Sequence, residues 1–427
     1  MNELLAQPLE LPCGAVLPNR LAKAAMTEGL ATAAGVPGPA LEQLYGLWAD
    51  GGAGLLLTGN VQIDADHLER PGNVIIDREP AGEQAAALAR WAAAATRAGN
   101  HCWVQLSHAG RQTMKPINPR PQAPSAVRVG LPGGQFGEPV PFTEAEVAAL
   151  PARFARAARA CQAAGFSGVQ LHAAHGYLFS SFLSPRTNLR EDRYGGSLEN
   201  RARVLLETVA AVRAEVGPAF PLAVKLNSAD FQKGGFAFSD SLQVARWLEA
   251  ASVDLIEISG GTYEQPRLLD MEGLEPVAQQ GVKASTLARE AYFVDFALAM
   301  QAEVNIPLMV TGGFRRRDAM EQALSGGAAD VIGLGRPLCV ATDGPARLLG
   351  GAGELPRFEQ QLALLPGWLS FMNRSLSLRA VSGFAVMYWY YEQLVALGER
   401  GRPEPDLSVA RASWRTLQRQ RRLLAAR

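Results

Sequence analysis

The sequence predicts an α/β fold, a (β/α)8 TIM barrel with a C-terminal helical extension, and two observations carry this. Eight short apolar runs recur along the first 335 residues: LAKAAM at 21–26, LLLTGNV at 55–61, CWVQLS at 102–107, GVQLH at 168–172, LAVKLN at 222–227, DLIEIS at 254–259, PLMVTG at 307–312 and DVIGLG at 330–335. Runs this short and this apolar suit parallel strands covered on both faces, and the Ala-rich stretches between them are long enough for crossover helices. The second observation is negative. No run is followed by the G-x-G-x-x-G turn of a dinucleotide-binding unit, so the open doubly wound sheet is the weaker competitor and eightfold alternation points to closure.

Between the third and fourth runs the segment GLPGGQFGEPVPF at 130–142 is rich in Gly and Pro and reads as a surface excursion. Thr143 and Glu146 in FTEAEVAAL form a capping box, so a helix should start there, run past Pro151 and end near Gly165. In RTNLREDRYGGSLENR, Arg190, Asp192, Arg193 and Tyr194 read as pairs that lock a loop, and Gly195–Gly196 as a turn into the next helix. After about residue 350 the alternation stops. The chain therefore divides into a barrel over 1–350 and an extension over 351–427, whose FAVMYWYYEQLVALG stretch packs on the barrel or on a neighbouring subunit of a homo-oligomer.

Composition excludes several functions. Basic and acidic residues balance at 41 each, which leaves no overall field to gather nucleic acid or an anionic membrane, and the basic tail QRQRRLLAAR reads as a solvated helix end. The expected partner is a small molecule. The four cysteines are scattered with no CxxC spacing, and MNELLAQPLELPCG has neither the basic start nor the long apolar core of a signal peptide; a cytoplasmic location is expected.

Catalytic groups of a parallel barrel gather at the C-terminal ends of its strands. His172 and His175 close the fourth run, two of only five histidines in the chain, with Gln105 in the third, Lys225 near the end of the fifth and Thr27 after the first. Each alone has a structural explanation; together they suggest a site. A metal would want a third ligand, usually a carboxylate, and the fifth run supplies a repelling lysine instead, so no metal is expected. Two imidazoles beside Tyr177 suit hydrogen bonding to a substrate oxygen with a phenol ready to deliver a proton. VTGGF at 310–314 and GLGRPL at 333–338 end the last two runs, where such barrels hold a phosphate on backbone N–H groups and an arginine.

Laid out in order, these motifs resemble the Old Yellow Enzyme family of FMN-dependent NAD(P)H oxidoreductases. The resemblance runs through LPNRLAKAAMTEGLA, VQLSHAGRQ, the fourth-run block AGFSGVQLHAAHGYLFSSFLSPRTNLREDRYGGSLENRARVLLE, VKLNSAD, VDLIEISGG, TGGF and GLGRPL, about residues 1 to 345. It implies one noncovalent FMN and a transient NADPH or NADH. Ala25, Met26 and Thr27 would line the flavin, with Gly59 offering backbone contact. Gln105 would bond the pyrimidine edge, and Lys225, standing where relatives usually have arginine, would stabilise charge on the reduced ring. Ser259, Gly312, Gly313, Gly335 and Arg336 would hold the ribityl and phosphate end. His172 and His175 would grip the substrate oxygen and Tyr177 would be the proton donor.

The implied activity is ping-pong reduction of the activated C=C bond of an α,β-unsaturated carbonyl. Alternatives on the same site are reduction of quinones or nitro compounds, or oxidative demethylation; outside flavin chemistry, a metal-dependent lyase or hydrolase would use His172 and His175. Two departures concern the flavin: Ala25 stands where many relatives have proline, and Lys225 where they have arginine. A third concerns the pocket. Some relatives carry a tyrosine at the position of Gly29, which is expected to leave the pocket larger or more open here.

Overall fold

The computed structural model describes residues 3–131, 134–260, 293–364 and 376–427. Eight parallel strands close on themselves: β1 (Leu21–Lys23), β2 (Leu55–Leu57), β3 (His101–Ser107), β4 (Gly168–Ala173), β5 (Leu222–Asn227), β6 (Leu255–Ser259), β7 (Leu308–Thr311) and β8 (Val331–Leu334). Closure is made by β1 pairing with β8 on one side and β2 on the other, and by β2 pairing with β3. Helices α1 (Pro39–Asp50), α2 (Gly82–Thr96), α3 (Glu144–Ala164), α4 (Leu198–Val216), α5 (Phe238–Ala250), α6 (Val294–Gln301), α7 (Arg317–Ser325) and α8 (Gly344–Leu349) follow the strands in turn. Two more, α9 (Leu376–Arg400) and α10 (Val409–Ala425), form the extension. No helix among the described residues is long and apolar enough to cross a membrane.

Every strand coincides with one of the eight apolar runs, yet β1 and β2 stop three or more residues short of the run's end. β1 ends at Lys23, and Ala25–Thr27 follow it without regular structure and partly open. LLLTGNV breaks at Thr58–Asn60, with Val61–Gln62 pairing again with β3. The break falls at Gly59, where an added Cβ would lie 2.3 Å from Glu28 Oε2 and 2.5 Å from the Met26 carbonyl oxygen. Backbone has to pass backbone there, which only glycine permits.

Period-two alternation sorts the strand side chains. Cys102, Val104 and Leu106 of β3, like Leu222, Val224 and Leu226 of β5, face the helices and join the main core. Leu55, Trp103, Ala223, Leu255, Met309 and Val331 face inward and fill the lower barrel, which the hairpin Leu9–Glu10/Val16–Leu17 seals with Leu9, Leu11 and Leu17. Above this apolar layer the inward positions turn polar.

The local expectations hold. Thr143 and Glu146 make both bonds of the capping box, Pro151 lies within α3, and Gly165 ends it in the left-handed region. Of the excursion expected at 130–142, residues 132–133 lie outside the described residues, and in the rest Val140–Pro141 pairs with Gln122–Ala123. Arg190 grips Asp192, and the Tyr194 hydroxyl donates to Glu207 at 3.1 Å, with Ser197 capping α4 just beyond the glycine pair. The extension folds as a helical hairpin: Trp389 Nε1 donates to the Leu407 carbonyl at 2.7 Å and Gln393 Nε2 to that of Glu404 at 3.0 Å. It docks on the barrel through Gln43, whose Nε2 donates to the Leu397 carbonyl at 3.2 Å.

Candidate active site

The polar layer begins with strand register. Gln105 on β3 stands opposite Gln170 on β4, and Lys225 on β5 opposite both His172 on β4 and Glu257 on β6. Residues in register point to the same side, so these side chains meet inside the barrel. Gln105 Nε2 donates to Gln170 Oε1 at 2.7 Å, Gln170 Nε2 to Glu257 Oε2 at 2.9 Å, and Lys225 Nζ to Glu257 Oε1 at 2.8 Å. All four are buried, so each hydrogen bond offsets a desolvation cost of roughly 1–3 kcal/mol. Gln170 and Glu257 were not singled out from the sequence. The signal was present: each is the lone polar residue in the middle of its apolar run, at an inward position.

The fourth-strand arm follows. His172 Nδ1 accepts the Ala174 N–H at 3.2 Å, which places the proton of the neutral ring on Nε2. The chain then enters the left-handed region at His175, φ 62°, and Gly176, φ 81°. A non-glycine residue with positive φ needs external support. Asn227 Oδ1 accepts the His175 N–H at 3.1 Å and Gln112 Nε2 donates to its carbonyl at 2.9 Å. Turned this way, the His175 and Tyr177 rings flank that of His172, with centroid distances of 5.1 and 4.8 Å, both edge-on. His175 Nε2 also lies 2.6 Å from Ser259 Oγ, so Ser259, expected toward the ribityl end, bonds to the histidine arm.

Burial pushes the pKa of His172 well below the ordinary imidazole value, with the charges of His175 and Lys225 adding to it; burial and Lys225 do the same to His175. Both rings are neutral at physiological pH, and each offers an N–H without carrying charge.

The remaining candidates follow the C-terminal ends of their strands. Ala25, Met26 and Thr27 are partly open, as are Gly312, Gly313, Gly335 and Arg336 at the ends of the adjacent strands β7 and β8. A Cβ on Gly335 would meet only Met26 Sδ, 4.0 Å away. Thr311 Oγ1, at the end of β7, is buried with no hydrogen-bond partner among the described residues. A second guanidinium, missed in the sequence, lies close to Arg336. Arg315 is buried, donates from Nη2 to Glu359 Oε1 at 2.8 Å, and has its pKa lowered by burial, with Arg336 opposing its charge. Two arginines, paired glycines and an unpartnered hydroxyl fit an anionic phosphate tail, and the polar layer beside open Ala25–Thr27 fits the heteroatom edge of a flavin.

One cluster outside this mouth has the composition of a metal site: Asp64, His67 and His108, with potential ligand atoms within 4.8 Å of one another. Its proton arrangement argues against coordination. His67 Nε2 accepts the Gln122 N–H at 2.8 Å and His108 Nδ1 accepts the Gly110 N–H at 3.0 Å. The nitrogens facing Asp64, 3.1 and 3.7 Å from its carboxylate, therefore carry the protons and have no lone pair for a cation.

Comparison with known proteins identifies the family. The family model described as NADH:flavin oxidoreductase / NADH oxidase family matches residues 5–351. The NADH-dependent flavin oxidoreductase iliE of Hypocrea jecorina (strain QM6a) is 38% identical over 361 residues, 80% of this chain and 88% of that protein. Among solved structures, an old yellow enzyme homologue from Zymomonas mobilis is similar with a TM-score of 0.68 and 25% identity, covering 85% of this chain and 97% of that one. Morphinone reductase is similar with a TM-score of 0.67 and 26% identity, covering 84% and 92%. The chain belongs to the NADH:flavin oxidoreductase / NADH oxidase family, the family of Old Yellow Enzyme, and is an FMN-dependent oxidoreductase that draws hydride from a nicotinamide.

Proposed function

We propose that this oxidoreductase reduces the activated C=C bond of α,β-unsaturated carbonyl compounds, with His172 and His175 binding the carbonyl oxygen and Tyr177 protonating the α carbon. The observation that carries the reading is the fourth-strand arm: two neutral imidazoles and a phenol, packed edge-on and pinned by Asn227 and Gln112, at the mouth of the barrel.

Bound FMN supplies the hydride. Ala25, Met26, Thr27 and the Gly59 backbone would hold its ring, Gln105 its pyrimidine edge and Lys225 its N1 side, with Gly312, Gly313, Gly335 and Arg336 at the phosphate. What this chain contributes is position and polarity. The His172 Nε2 proton is directed by the Ala174 N–H on the far nitrogen, and His175 can donate from one nitrogen at a time. A pair of neutral N–H donors fits an oxygen that gains negative charge as the β carbon is attacked, and a site closed to water strengthens both bonds. Tyr177 is 3% exposed, so bulk water does not compete to deliver the second proton. Lys225, anchored to Glu257 between two strands, is a fixed positive charge rather than a mobile one.

Quinones and nitro compounds present the same acceptor oxygen and form the second arm of the test. Purified FMN-loaded protein is bleached anaerobically with NADH or NADPH and reoxidised with 2-cyclohexenone, menadione or nitrobenzene. Reoxidation by cyclohexenone with formation of cyclohexanone is expected. Reoxidation by menadione or nitrobenzene alone would assign the site to those acceptors instead.

A further inference from the structure

Asn227, whose Oδ1 accepts the His175 N–H, closes β5 two residues beyond Lys225 and is buried. An asparagine amide has a donor end and an acceptor end of nearly the same shape, so something has to decide which of them faces His175. Asp230, in the loop between β5 and α5, stands beside it. Asn227 Nδ2 donates to Asp230 Oδ1 at 3.3 Å and to Ser180 Oγ at 3.4 Å, and that hydroxyl accepts the Gly176 N–H at 3.1 Å. With the amide reversed, Oδ1 would meet the carboxylate and Nδ2 would meet the His175 N–H. Two repelling contacts would replace two bonds.

The carboxylate is itself fixed. Its Oδ2 accepts the Phe236 N–H at 3.0 Å, and the Asp230 N–H donates to the Phe236 carbonyl at 3.0 Å. Phe231, between them, takes φ 55°, so the loop folds back on Asp230 against the backbone preference of an ordinary residue. Asp230 is 2% exposed, and burial raises its pKa, but the Ser184 hydroxyl, the Phe236 N–H, Asn227 and the charge of Arg111 all favour the ionised form. Its hydrogen-bonding neighbours are donors, and an ionised carboxylate accepts from all of them. Asp230 also shares a small cavity with Gly176, Arg111 and Ser184, so it borders the left-handed turn of the arm.

We infer that Asp230 is a positioning residue of the reaction: its carboxylate holds the Asn227 amide with Oδ1 toward the His175 N–H, and thereby keeps His175 in the left-handed conformation that places its ring beside that of His172. It acts only through Asn227 and takes no part in hydride or proton transfer. This rests on the reading that His175 binds the substrate oxygen, and adds the group that sets the backbone of that histidine. Asp230→Asn offers one acceptor and one donor where the site presents donors to both oxygens, so either Phe236 or Asn227 loses its bond. Exchanging the two side chains, Asp230→Asn with Asn227→Asp, restores each pair. The amide oxygen at 230 accepts the Phe236 N–H, its NH2 donates to the carboxylate at 227, and that carboxylate accepts the His175 N–H.

The test uses the FMN-loaded full chain titrated at pH 7.5 with 4-hydroxybenzaldehyde, a planar oxygen ligand, while the flavin absorption band is followed. Asp230→Asn should weaken binding by about tenfold with FMN content unchanged, and the exchanged double variant should return to within about threefold of wild type. A group serving the fold alone would lower FMN content or melting temperature and leave the dissociation constant in place. Binding by Asp230→Asn within twofold of wild type overturns the inference, as does a double variant no tighter than that single one. Where Asp230→Asn fails to load FMN, the double variant decides: affinity within threefold of wild type supports the inference, and a tenfold loss overturns it. His175→Ala separates this inference from the reading beneath it. Weaker binding by His175→Ala beside unchanged binding by Asp230→Asn sinks the role of Asp230 alone, whereas unchanged binding by His175→Ala removes His175 from the oxygen site, and Asp230 with it.

Discussion

Lys225 Nζ and Glu257 Oε1 are 2.8 Å apart in the barrel interior, on strands that pair in register. The carboxylate also receives Gln170, and through it Gln105, so one acidic group organises three polar side chains. This explains how a lysine is tolerated at 4% exposure next to two histidines. It also explains how the inward face changes from Ala223 and Leu255 to charged groups two residues further along each strand.

Removing one partner of this pair should cost more than removing both. Lys225→Met leaves Glu257 buried without its cation, and a loss of about 3–5 kcal/mol in unfolding free energy is expected. The double variant Lys225→Met/Glu257→Leu should recover a substantial part of that. Urea denaturation of the three proteins checks the sign of the coupling, and the FMN content of the same preparations reports whether Lys225 also holds the flavin. Equal losses in the single and double variants would contradict the pairing.

The histidines give a pH dependence of definite sign. Burial lowers the folded-state pKa of His172, His175 and His101, and takes His108 down to about 3. In the unfolded chain all four titrate near the ordinary value of about 6.5. Below that pH the unfolded state binds protons that the folded state refuses, so stability falls as pH drops from about 6.5 toward the folded pKa values. The limiting slope is about 1.4 kcal/mol per pH unit for each such histidine. Thermal melts from pH 7.5 to 5 should show this loss. By the same shifts, kcat/KM for an enone should show no inflection near 6.5 from His172 or His175, because neither gains its proton there.

Much of this was legible in the sequence, for a physical reason that differs by element. Strand runs were readable because parallel barrel strands are buried on both faces and stay apolar. The α3 cap was readable because its bonds are local, from Thr143 to Glu146. The mouth residues at strand ends followed from counting strands. Gln170 and Glu257 were not readable as partners, since their bonds depend on strand register, which no single run contains. Arg315 and Glu359 are 44 positions apart and meet only through the fold. Arg70 and Tyr391 are separated by most of the chain, so the packing of Arg70 beside Gly29 and of Tyr391 on Arg70 could not be read from the glycine itself.

Tyr177→Phe separates proton delivery from every other step. The ring, its edge-on packing against His172 and its place ahead of helix Leu178–Leu183 are all retained. Loss of a general acid costs typically 10²- to 10⁴-fold. Reoxidation of the reduced protein by cyclohexenone should slow by about that factor, while bleaching by NADH stays within a few-fold of wild type. Unchanged enone turnover would remove Tyr177 as the proton donor.

Gly59→Ala tests the floor of the site. The new methyl would sit 2.3 Å from Glu28 Oε2, 2.5 Å from the Met26 carbonyl oxygen and 2.8 Å from Thr27 Cα, and two of those three neighbours are backbone. Glu28 cannot retreat freely, since it accepts the Gly59 N–H at 2.9 Å and the hydroxyl of buried Tyr45. The strain therefore moves into the Ala25–Thr27 turn itself. A destabilisation of about 1–3 kcal/mol, in the range of core overpacking, is expected. If that turn holds the flavin, FMN affinity should fall by at least tenfold even where the variant remains folded. Gly196→Ala is the control. Unlike Gly59, that residue has positive φ, 79°, and an added Cβ meets nothing within 4 Å, so it should lose stability through backbone strain while leaving FMN affinity in place. Equal FMN binding by the two variants would mean that the close passage at Gly59 serves packing alone.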